Sequence, residues 1–199
     1  DKQKDYGGLY DADNGVMLPG EISQDMFGGY NKLVLQYANK GLAQNMVSQG
    51  GGWYDMWNYV NDATGYRVIN TGLIPITDKF SLNHVLTYGS ADNTTEYTDK
   101  SRLVSLVGRA QYQFTEYVRL IGEVGGFYQK DSYTDGSHYK QSGEKYTIAL
   151  GLADGPDFMS RPELRVFASY LNDSEQGNAF NDGTASDTWN FGVQVEAWW

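Results

Sequence analysis

Trp189-Asn190-Phe191-Gly192-Val193-Gln194-Val195-Glu196-Ala197-Trp198-Trp199 is the stretch whose reading decides the fold. Successive side chains of a β-strand point to opposite faces. Laid out that way, Trp189, Phe191, Val193, Val195, Ala197 and Trp199 share one face, and Asn190, Gly192, Gln194, Glu196 and Trp198 share the other. One face is apolar; the other is polar with a single ring. A helical period would mix the two sets.

The same alternation returns upstream. Leu164, Val166, Ala168 and Tyr170 alternate with Glu163, Arg165, Phe167 and Ser169. Val104, Leu106, Gly108, Ala110, Tyr112 and Phe114 alternate with Ser105, Val107, Arg109, Gln111 and Gln113. Val118, Leu120, Gly122 and Val124 alternate with Arg119, Ile121, Glu123 and Gly125, and Tyr146, Ile148, Leu150 and Leu152 with Lys145, Thr147, Ala149 and Gly151. Leu33, Leu35 and Tyr37 alternate with Lys32, Val34 and Gln36. Strands are therefore expected near 15–24, 29–39, 65–75, 80–90, 101–114, 117–129, 143–153, 161–171 and 187–199, with a further strand end before residue 8. Pro19 and Pro75 interrupt two of them, since proline cannot donate to a ladder.

The expected connections differ in length by turns. Short ones fall near 25–28, 76–79, 115–116 and 154–160, and long polar ones near 40–64, 91–100, 130–142 and 172–186. Short turns at one end and long loops at the other mark an antiparallel transmembrane β-barrel of the outer-membrane type. Strands of about 9–11 residues cross the hydrocarbon when tilted. A soluble sandwich also alternates, but it buries its apolar face and does not need rings at strand ends such as Tyr112, Phe114 and Tyr117, which suit an interfacial girdle.

Composition agrees. Aromatics make up 15% of the 199 residues, with 16 tyrosines and 5 tryptophans, yet mean hydropathy is -0.54. No apolar run approaches the roughly 20 residues of a membrane helix, which excludes helical spans but not strands. The chain has no cysteine, so disulfides and zinc-thiolate sites are excluded. Asp+Glu 25 against Lys+Arg 15 argues against a nucleic-acid partner. Asp1 opens without a leader and inside what reads as strand and loop, so a large preceding part is expected.

Ser160-Arg161-Pro162-Glu163-Leu164-Arg165-Val166-Phe167-Ala168-Ser169-Tyr170 and the ending Phe191 to Trp199 resemble the maltoporin (sugar porin) family, as does Gly29-Tyr30-Asn31-Lys32-Leu33-Val34-Leu35-Gln36-Tyr37-Ala38. The wording is closer to the family's β-glucoside branch than to its maltodextrin branch. The resemblance implies that residues 1–199 are the C-terminal half of a single barrel domain, about half of an 18-stranded porin. It also implies a bacterial outer-membrane homotrimer, completed by an N-terminal half, through which carbohydrates glide along a strip of rings beside a polar track. On that resemblance Tyr30 and Trp198 fall at ring positions of the slide. Met159 stands where the family has a tryptophan, which implies a different sugar preference.

Parity places Trp198 in the lumen and Trp199 toward lipid. The lumen face also carries Arg109, Arg119, Arg165, Glu123, Glu163 and Glu196. Charges of both signs on one wall form either a polar track for sugar hydroxyls or a salt-bridge network that stiffens the wall. Arg67 matches a family arginine on a poorly alternating strand. Catalysis finds little support: the two histidines, His84 on the lipid or subunit face and His138 in the 131–142 loop, have no serine in a nucleophile-elbow setting. Gly50-Gly51-Gly52 lacks the Lys-Ser/Thr of a phosphate loop. Asp92, Asp131, Asp173 and Asp187 read as solvated loop charge without the spacing of a calcium loop. No cofactor and no metal are expected. The expected function is passive, saturable carbohydrate diffusion; the alternatives are a general diffusion porin without a sugar site and a surface adhesin or phage-receptor barrel.

Overall fold

The computed structural model describes residues 14–48, 62–175, 180 and 183–197. The strand end expected before residue 8, Gly50-Gly51-Gly52, Trp198 and Trp199 lie outside them. Nine strands form one antiparallel sheet in which each pairs with its sequence neighbours: β1 (Met17–Met26), β2 (Gly29–Asn39), β3 (Thr64–Thr77), β4 (Phe80–Thr95), β5 (Thr98–Gln113), β6 (Val118–Tyr133), β7 (His138–Ala153), β8 (Glu163–Asp173) and β9 (Asp187–Glu196). Pro19 lies in β1, an edge of this sheet, and Pro75 sits beside a register shift in the β3–β4 ladder. Those are places where a missing N–H is tolerated.

Register follows the parity. Leu82, Leu86, Val104, Leu106, Ile148, Leu150, Leu164, Val166, Phe191 and Val193 are all exposed on one face. Rings border this apolar band. Tyr112 and Phe114 meet edge to face at 5.3 Å toward the turn end, and Tyr66–Tyr88, Tyr146–Tyr170 and Tyr170–Trp189 pair toward the loop end. From Phe80 to Tyr88, β4 covers about 26 Å at roughly 3.3 Å per residue, which at the tilt of about 35–45° usual for such strands is about 19–22 Å of height, most of an outer-membrane apolar band.

Two expected loops are corrected. Residues 91–100 and 130–142 are largely strand: β4 to β7 run 16 residues each, and only 96–97 and 134–137 turn the chain. At about 53 Å each, these strands exceed any hydrocarbon thickness. The ladder continues into water while the hydropathy alternation stops, because both faces are then solvated. His138 consequently begins β7 opposite Ser132, and Asp92 pairs with Lys100 at 3.1 Å.

The long 40–63 connection starts with a 3-10 helix, Lys40–Met46, folded onto the inner face. Glycines make the approach possible. A Cβ on Gly89 would lie 1.9 Å from the Met46 carbonyl oxygen, and one on Gly65 2.8 Å from that of Ala43. Ala38, Ala43, Met46, Val47, Ala91 and Leu103 are buried there.

A polar group interrupts the outer face. Asn31 and Asn70 exchange amide hydrogen bonds at 3.3 and 3.0 Å, and His84 Nε2 approaches Asn70 Oδ1 at 2.8 Å. Gly72 makes room, since a Cβ there would meet the His84 ring at 2.8 Å.

Candidate functional site in the inner wall

The inner face is concave: the β1–β2 turn (Phe27, Gly28) and the β7–β8 connection (Pro156 to Met159) line one recess of about 740 Å³ with Leu73, Ser81, Gln111 and Gln113. These are inward positions at the turn end. Met159 is half exposed there, with Phe158 beside it. Tyr30 lies on the same face, paired with Asp25 and Leu73.

Above the β7–β8 connection the charged residues divide into two groups. Arg119 is 1% exposed and Glu163 2%. Arg119 Nη1 lies 3.3 Å from Glu163 Oε2, Arg165 Nε 2.8 Å from Glu163 Oε1, and Arg161 Nη2 2.9 Å from Glu196 Oε2. Arg165 Nη2 also donates to Glu196. The Arg119 guanidinium donates to the carbonyls of Gly155 (2.8 Å), Asp157 (3.2 Å) and Phe158 (3.3 Å), and to Gln111 Oε1 (3.3 Å). One arginine thus ties the whole connection to the wall. The planar, multi-donor guanidinium suits this, where an ammonium would serve fewer acceptors.

The second group stays open. Arg109 donates to Glu123 Oε2 through Nε (3.0 Å) and Nη2 (2.8 Å), and Lys145 Nζ stands 4.0 Å from Glu123 Oε1. These three line a recess of about 250 Å³ with Phe167, Gln194 and Glu196. Arg67, farther round, donates to Gln36 Oε1 at 2.7 Å and to the carbonyls of Asn45 (3.0 Å) and Ser48 (3.4 Å), so it secures the inward 3-10 segment.

Inward rings that were not singled out from sequence include Phe127, Phe158 and Phe167. Phe127 and Phe167 have the lumen parity of Glu123 and Arg165, so extending the alternation past Gly125 finds the first. Phe158 lies in a turn, where parity gives no signal. Among the described residues no group of His, Asp or Glu has the arrangement of a metal site.

The sequence profile described as LamB porin matches residues 1–199. The chain is 85% identical over 198 residues to "Maltoporin 1" of Klebsiella pneumoniae subsp. pneumoniae and 83% identical to "Maltoporin 2" of Yersinia pestis. "Maltoporin 1" of Aeromonas salmonicida is 55% identical over 201 residues. Each match takes in 100% of this chain and 47% of the relative, so the chain spans about half the length of the curated relatives it matches.

Proposed function

The chain belongs to the LamB porin family, and from that premise we propose that it supplies one half of the wall of a trimeric outer-membrane pore through which carbohydrates diffuse passively and saturably. The full-chain match to maltoporins carries the reading. The apolar, ring-bordered outer face and the charged inner face support it, because lipid demands the first and a hydrated lumen the second. Porins of this family are channels, and no energy source or cofactor enters the proposal.

The sugar path takes its apolar contacts from Tyr30 and Trp198, with Met159 at the turn-end mouth. A sugar ring offers apolar faces and a rim of hydroxyls, so it stacks on aromatic rings and hydrogen-bonds to charged side chains. Within the charged set, Arg109, Glu123 and Glu196 stand beside open space, with the mostly buried Arg165 at its edge, and they supply the track. Arg119, Arg165 and Glu163 hold the wall in shape. The relatives' name weights the substrate toward maltose-type sugars, and Met159 weights it away from long chains. β-Glucosides are the competing class.

The test is sugar block of ion current through full-length trimers in planar bilayers. Maltotriose and cellobiose should each reveal a saturable block, and their order assigns the linkage. Trp198→Ala should weaken block about five-fold, the equivalent of roughly 1 kcal/mol of stacking, with open conductance unchanged. Current indifferent to every sugar would make the pore a general one.

A further inference from the structure

An inner recess near the loop end lies above the charged pair, and no ring of the expected slide belongs to it. It measures about 730 Å³ and is walled by Phe127, Phe180, Ser105, Gln141, Glu123 and Lys145, among others. That volume falls in the range of small-ligand sites, about 300–1,000 Å³, and the mixture of rings with a few converging polar groups is typical of them. Glu123 and Lys145 also line the smaller recess that contains Phe167. Two adjoining recesses therefore share one carboxylate and one ammonium.

The rings in the two recesses are built alike. Phe127 pairs across the ladder with Gly143, and Phe167 with Gly192. A Cβ on Gly143 would lie 3.3 Å from Phe127 Cε1, and one on Gly192 would lie 2.8 Å from Phe167 Cζ. Each ring thus leans over a bare cross-strand glycine instead of standing off the wall. Covering a glycine is a recognised way to stabilise a sheet, but Phe127 remains 38% exposed beside open space. A sheet-covering role alone leaves that space unexplained.

We propose that the Phe127 recess is an entry subsite for an oligosaccharide arriving from the loop end. It passes the sugar along the shared Glu123 and Lys145 to the Phe167 recess. Phe127 stacks against one pyranose face. Gln141 and Lys145 donate to hydroxyls and Glu123 accepts from them. The subsite rests on the sugar-porin reading above and adds two rings outside the expected slide.

Full-length trimers in oriented planar bilayers test it, with maltotriose added to one side at a time. Phe127→Leu keeps Gly143 covered but removes the flat face. It should slow block from the loop side roughly five-fold, change block from the turn side less, and leave open conductance and heat-modifiable gel migration unchanged. Ser105→Leu narrows the recess from the inward position paired with Phe127, adds no flat face, and should have the same effect with Phe127 itself unaltered. Wild-type current that no sugar blocks would sink the sugar-porin reading itself. Wild-type block that neither variant alters would leave that reading standing and overturn the entry subsite.

Discussion

Glu163→Gln tests the buried charge cluster most sharply, because the neighbouring charges set both the sign and the size of the effect. Three guanidiniums, on Arg119, Arg161 and Arg165, face two carboxylates, on Glu163 and Glu196. Replacing Glu163 by its neutral isostere leaves three cations around one anion at a position 2% exposed. Removing one partner of a buried pair costs about 3–5 kcal/mol, because uncompensated charge stays behind. Arg119→Met is the instructive contrast. It leaves two cations and two anions, and the carboxylate keeps Arg165 Nε at 2.8 Å. Its cost comes mainly from the hydrogen bonds to Gly155, Asp157, Phe158 and Gln111, about 1–3 kcal/mol in total because turn carbonyls regain water. Equilibrium unfolding of the full-length protein by urea in lipid vesicles measures both. The expected order is Glu163→Gln well below Arg119→Met, itself below wild type. The reverse order would refute the argument: the cluster would then be held by carbonyl capping, with its charges hydrated.

Ile148→Arg places a cation on the apolar outer band, where Ile148 is 58% exposed, and should lower stability by about 2–4 kcal/mol near the bilayer midplane. Thr147→Arg, one residue away, faces Glu123 across the ladder and should cost far less in the same urea titration; equal costs would mean that the two faces are reversed. The 134–137 turn should respond to acid. Hydrogen bonds from the Ser137 hydroxyl and amide hold the Asp135 carboxyl below its ordinary range, so the turn is fully stabilised above the unfolded carboxylate pKa and loses this contribution as pH falls through the lower folded value. Hydrogen-exchange protection at the Ser137 amide should fall across that window and should depend less on pH in Ser137→Ala.

Much of the barrel wall was legible because lipid imposes a period of two on one face only. Leu106, Ile148 and Val193 stand out where that constraint acts, and the strand pairing follows. Beyond the membrane the constraint lapses. Asp92 and Lys100 have the parity of the lipid face yet pair as ions in water, so the ladder runs on where polarity suggested loop. The candidate site was legible by direction and not by environment. Parity turns Arg109, Arg119, Arg165, Glu123, Glu163 and Glu196 inward, but the burial of Arg119 depends on a turn nearly forty residues later folding back over it. The same holds for Arg67, whose two carbonyl acceptors lie in a segment that reads as polar loop.

The amide–imidazole group on the outer face binds three distant positions into one heritable unit. Asn31 and Asn70 satisfy each other, and His84 leans on Asn70 over a site that Gly72 keeps clear. Exchanging Asn70 alone for an apolar residue strands two polar groups on an apolar face, whereas exchanging all three together strands none. Evolution across such a ridge proceeds by joint replacement or stays put. In any collection of descendants, these three positions should therefore drift together while their apolar neighbours drift freely.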